Sequence, residues 1–121
     1  MLKSDYRWLA KELSKIMNSN ESIKAVFSTD EGWWVLMSRR IIILTPSFWS
    51  GFNVNEIINH SQIERLYYKI NKGFLSSSME LYIKLKNEKT RTYEVNNSMS
   101  FDYVAKAIDN LKYAKSKRKK K

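Results

Sequence analysis

The chain has 121 residues, with 22 Lys or Arg against 12 Asp or Glu and a formal charge of +10. Seven of the cations lie from Lys112 onward with no acid among them, which leaves 15 basic against 12 acidic residues, a body at +3. The basicity is therefore a property of the tail and argues against a strongly charged groove. A hydrophobic share of 43% suits one globular domain, and the lack of cysteine excludes disulfides, thiol catalysis and cysteine-held zinc.

Residues 4–18 read as a helix: Leu2, Tyr6, Leu9, Ala10, Leu13, Ile16 and Met17 recur at the spacing that gathers one apolar face. Trp8 falls about 140° from that stripe at 100° per residue. Strands are expected over residues 23–29, 33–37 and 40–45, with Asp30-Glu31-Gly32 as the first turn. The second and third are apolar almost throughout, as in a sheet covered on both faces. Residues 45–52 form a loop rich in Pro, Gly and large aromatics, followed by a weaker strand over 53–58.

Alternation is clearest further on. Leu66, Tyr68 and Ile70 take one face of a strand over 63–70, with Arg65, Tyr67 and Lys69 on the other. Met79, Leu81, Ile83 and Leu85 oppose Glu80, Tyr82, Lys84 and Lys86 in the same way, and a strand over 90–95 follows a short hairpin loop. Ser98 or Ser100 then caps a helix to about residue 115, with Phe101, Val104, Ala105, Ile108 and Leu111 as its buried stripe. The division expected is an N-terminal helix (1–20), one domain (21–115) and a disordered basic tail (116–121).

Two features carry a family resemblance: a helix following the last strand, and the run Leu36-Met37-Ser38-Arg39-Arg40-Ile41-Ile42-Ile43, in which a strand turns through polar residues and resumes at Arg with aliphatics. Together with Asn55-Glu56-Ile57-Ile58 and Gln62-Ile63, this resembles the bacterial pleckstrin-homology-like family, related to GRAM domains, although Met37 stands where that family usually has Thr. The resemblance implies a mainly β fold with flanking helices, a barrel of about seven antiparallel strands plugged by the C-terminal helix. It also implies a binding platform rather than an enzyme. Members of the wider superfamily that bind phosphoinositides use cations around the first turn; here Thr29-Asp30-Glu31-Gly32 is acidic, so no specific phosphoinositide is expected.

Chemistry-bearing constellations are sparse. The glycines form no phosphate-cradling loop, the single histidine, His60, reads as a surface residue in a polar turn, and the carboxylates form no acid–base pair outside the first turn. No catalytic residue, metal or cofactor is expected. The first reading is a non-enzymatic binding module contacting an unidentified protein through the apolar anchors Trp8, Trp33, Trp49 and Phe52 and a rim of Arg39 and Arg40. The second is nucleic-acid binding through Arg65, Tyr67, Lys69, Tyr82 and Lys84, with Lys117, Arg118, Lys119, Lys120 and Lys121 adding sequence-independent attraction. The third is attachment to an anionic membrane through the tail and the loop aromatics. Self-association stays open. No apolar run reaches the roughly 20 residues of a membrane span and no signal-peptide core is apparent, so a cytoplasmic setting is expected. Trp33 and Trp34 point to opposite faces, and what covers the outer one stays undecided.

Overall fold

A computed structural model describes residues 22–47 and 51–119. The expected strands all form: β1 (Ile23–Thr29), β2 (Gly32–Met37), β3 (Arg40–Ser47), β4 (Gly51–Asn59), β5 (Ile63–Lys72), β6 (Ser77–Leu85) and β7 (Arg91–Glu94). A short 3₁₀ turn at His60–Gln62 separates β4 from β5, and α1 (Phe101–Lys119) follows. The expected helix of residues 4–18 lies outside the described residues.

The strands build a four-stranded antiparallel sheet, β1-β2-β3-β4, and a three-stranded one, β5-β6-β7. They do not close into the expected barrel. The sheets meet at one corner, where Thr29 bridges Val95, the Asp30 amide donates to the Glu94 carbonyl (2.9 Å) and the Asn96 amide donates to the Ser28 carbonyl (2.9 Å). Among the described strands β4 pairs only with β3 and β5 only with β6, because the chain turns through the 3₁₀ segment between them instead of continuing the ladder.

Side-chain alternation sorts the core. Ala25, Phe27, Trp34, Leu36, Ile41, Ile43 and Ile58 line the inner face of the first sheet and meet Leu66, Met79, Leu81, Ile83 and Tyr93 of the second. Val104, Ala105 and Ile108 of α1 close the space between them. Trp34 sits at the centre, 0% exposed, its ring 5.6 Å from Phe27 and edge-on to Tyr93 at 4.9 Å. Tyr103 fastens α1 to β1 by accepting a hydrogen bond from the Val26 amide (3.1 Å).

Gly32 opens β2 at φ +131°, where a Cβ would strike the Leu44 carbonyl on the neighbouring strand. α1 runs to Lys119, past the expected end near 115. Lys, Arg and Ala are strong helix formers, and cations suit the negative pole of the helix.

Candidate functional site

Several surfaces could carry function, and each is set by strand register. The first turn is the tightest. The Thr29 hydroxyl donates to the Gly32 carbonyl (3.0 Å) and accepts from the Glu31 amide (3.2 Å), while Asp30 Oδ1 accepts from the Glu94 amide (3.0 Å). An open cleft of about 470 Å³ lies beside it, lined by Asp30, Glu31, Trp33, Thr45 and Asn55 among others. Asp30, Glu31 and Glu94 therefore gather at one corner, an arrangement that repels phosphate.

Register also brings the expected cationic strand residues together. Arg65 lies opposite Lys84, Tyr67 opposite Tyr82 and Lys69 opposite Glu80, all on the outer face of the second sheet. The groups on that face largely satisfy one another. The two tyrosine rings stack at 4.9 Å and 10°. Lys84 reaches Glu64 at 2.8 Å, and that bond holds the Glu64 carboxyl below its ordinary value. Glu80 Oε1 accepts from the Tyr82 hydroxyl (3.0 Å) and from Asn71 Nδ2 (3.3 Å); the first of these bonds raises the Tyr82 phenol. A ring already stacked on its neighbour has one face fewer for a base, and a lysine paired to a carboxylate offers a phosphate less. Lys117, Arg118 and Lys119 lie on the last turn of α1, and Lys120 and Lys121 lie outside the described residues.

Of the expected apolar anchors, only Trp33 has its side chain among the described residues. Trp33, half-buried, is the second residue of β2 and pairs with Leu44, whereas Arg39 and Arg40 flank the turn beyond the other end of that strand. Phe52 lies in β4; Trp8 and Trp49 lie outside the described residues. His60 was expected at the surface but is buried, because its 3₁₀ turn folds back on the β2–β3 turn, with the His60 amide donating to the Arg39 carbonyl (2.9 Å).

A further surface was missed by sequence reasoning. The β5–β6 hairpin tip, Gly73-Phe74-Leu75-Ser76, is closed by the Gly73 amide donating to the Ser76 carbonyl (2.8 Å), and it carries Phe74 at 102% exposure and Leu75 at 92%. Every other exposed large apolar residue among those described is at 43% or less. The tip protrudes because β7 pairs only with residues 80–83 of β6, so the ends of β5 and β6 run on as a two-stranded arm. Lys69 and Lys72 flank it on β5. The one available signal was a Phe-Leu pair inside a Gly/Ser turn, where polar residues are the rule.

Two solved structures share this architecture. A pleckstrin homology domain from Shewanella amazonensis SB2B aligns at TM-score 0.68 and 19% identity, covering 87% of this chain and 96% of that one. A DUF1696 family protein with a pleckstrin-homology domain from Shewanella loihica PV-4 aligns at TM-score 0.68 and 20% identity, covering 86% and 90%. The fold is pleckstrin-homology-like. The sequence itself matches no family model and no curated protein. Among the described residues no cluster of three or more His, Asp or Glu side chains is arranged to hold a metal, and no helix is long and apolar enough to cross a membrane.

Proposed function

We propose that this pleckstrin-homology-like domain is a non-enzymatic binding module that acts in the cytoplasm by contacting another protein, with Phe74 and Leu75 as its apolar anchors. The observation that carries this reading is the nearly complete exposure of two adjacent large apolar side chains on a protruding hairpin. Burying each in a partner's pocket is worth about 1.5–3 kcal/mol, enough to dominate a modest interface. The complementary surface is an apolar pocket with an acidic rim facing Lys69 and Lys72.

The experiment is a pull-down with the whole chain, comparing the wild type with a Phe74→Ser, Leu75→Ser variant whose circular dichroism matches it. One protein held stoichiometrically at high salt by the wild type, and released by the variant, supports the reading. Equal retention by both overturns it. So does capture of nucleic acid that needs Arg65 and the terminal lysines, or of anionic vesicles in place of a protein.

A further inference from the structure

The buried apolar side chains of the first sheet fall into two groups. One belongs to the central core around Trp34. The other, Val26, Val35, Met37, Ile42 and Leu44, has no member in that core, because alternation turns these side chains to the outer face of β1, β2 and β3. Val35, Met37, Ile42 and Leu44 are each no more than 1% exposed. Burial of that degree needs a layer over them, and no described helix or strand supplies one. α1 packs against β1 and β5 from the inner side, with its apolar stripe in the central core.

The margins of the face give the width of that layer. Val54 and Ile57, on the same outer face of β4, are 43% and 41% exposed, so the cover lies over β1 to β3 and fades at β4. Strands about 4.8 Å apart make β1 to β3 about 10 Å across, the diameter of one α-helix. The rest of the chain offers one candidate. Residues 48–50 only join β3 to β4, about 20 Å along β3 from Ile42. Beyond Ala114 the sequence holds only Ser, Lys and Arg, which cannot line an apolar face. Residues 1–21 remain, and they carry the apolar stripe of Leu2, Tyr6, Leu9, Leu13, Ile16 and Met17. They also join the sheet at the right place: the Ser22 carbonyl accepts from the Ser38 amide (3.2 Å) and the Ser22 amide donates to the Ser38 hydroxyl (3.2 Å), one residue from Met37. Residues 18–21 reach about 13 Å when extended, enough to turn the chain back over the face.

We infer that residues 2–17 occupy this face in the same chain, their apolar stripe set on Val35, Met37, Ile42 and Leu44. As a helix the segment is about 24 Å long, and β2 beneath it is about 20 Å. The fit is one of chemistry as well as size: the stripe supplies apolar cover, while Lys3, Arg7, Lys11 and Lys15 fall off it. The N-terminal helix and the domain, expected as two units over 1–20 and 21–115, then fold as one. The outer face of the first sheet is sealed by the chain's own start and withdrawn from other partners. The hairpin tip plays no part in this contact, which holds or fails independently of the proposed function.

Methyl NMR of the full chain tests it. Nuclear Overhauser contacts are expected between the methyl groups of Leu9, Leu13 or Ile16 and those of Val35, Ile42 or Leu44. In a mixture of two differently labelled samples the same contacts should be absent between copies. A Leu9→Glu, Leu13→Glu variant should raise the fluorescence of a hydrophobic dye several-fold by uncovering the face, while Lys11→Glu, on the opposite side of the segment, leaves it as in the wild type. The methyl contacts are read in the wild type, so the test stands should the glutamate pair fail to fold. Methyl contacts from the face to another segment instead, or to none, overturn the inference, as do contacts found only between copies. So does a folded glutamate variant whose dye binding is unchanged.

Discussion

The four-stranded sheet is apolar on both faces, whereas the three-stranded sheet is apolar on one. Val35, Met37, Ile42 and Leu44 on the outside of the first are as buried as Trp34 and Ile43 on its inside. On the outside of the second, Arg65, Tyr67, Lys69 and Tyr82 stay at least partly in contact with solvent. Both sheets use alternating side chains; they differ in how far the outer face is buried. No described helix or strand packs on the outside of the first sheet, and the expected amphipathic helix of residues 4–18 lies outside the described residues. The difference teaches where partners can be sought. A face already buried is part of the folding free energy, while the second sheet and its hairpin arm keep surface for others.

The contrast breaks most visibly when the same charge is placed on each outer face. Ile42→Asp buries an unpaired carboxylate and should cost about 3–5 kcal/mol, enough to unfold a marginal domain, whereas Tyr67→Asp on the second sheet should cost about 1 kcal/mol or less. Urea titration of both variants measures the two costs. Similar losses would mean that the faces do not differ as described.

Next in size is the tryptophan pair. Trp34→Ala removes a fully buried ring and should cost about 3–5 kcal/mol, while Trp33→Ala, at a half-buried site, should cost clearly less. Thermal unfolding of the two variants ranks them.

The join between the sheets should give a smaller effect. Glu56→Gln removes the charge that Arg91 meets at 2.6 Å while Glu88 holds the other guanidinium nitrogen at 2.9 Å. Both partners of the Glu56–Arg91 pair keep solvent contact, so the loss should be about 1 kcal/mol and should shrink in high salt.

The smallest effect is a titration. Glu64 bonded to Lys84 has its carboxyl pushed below the ordinary carboxylate value, first by that hydrogen bond and then by the lysine's charge. A folded-state value below the unfolded one stabilises at neutral pH, and that contribution is lost as pH falls through the folded value. Carboxyl NMR of Lys84→Met should show Glu64 titrating at higher pH than in the wild type. An unchanged titration would dissolve the pair.

Much of this fold could be read from residue order because alternation and turn chemistry are local. Met79, Leu81, Ile83 and Leu85 against Glu80, Tyr82 and Lys84 already define both faces of β6, and Phe101, Val104, Ala105, Ile108 and Leu111 define the packed side of α1. The grouping of Arg65 with Lys84 and Tyr67 with Tyr82 needed only that β5 and β6 form a hairpin. What escaped depends on distant partners. His60 is buried because its turn bonds back to Arg39. Phe74 and Leu75 stand free because β7 is only four residues long and stops short of the arm.

The most direct test of the central claim places a photo-cross-linking amino acid at Phe74 and, in a separate protein, at Tyr67, each in the full chain inside its own cell. Position 74 should yield one discrete adduct with another protein, and position 67 should yield none. Adducts to nucleic acid or protein at 67 with none at 74 would contradict the claim that this domain binds through its hairpin tip.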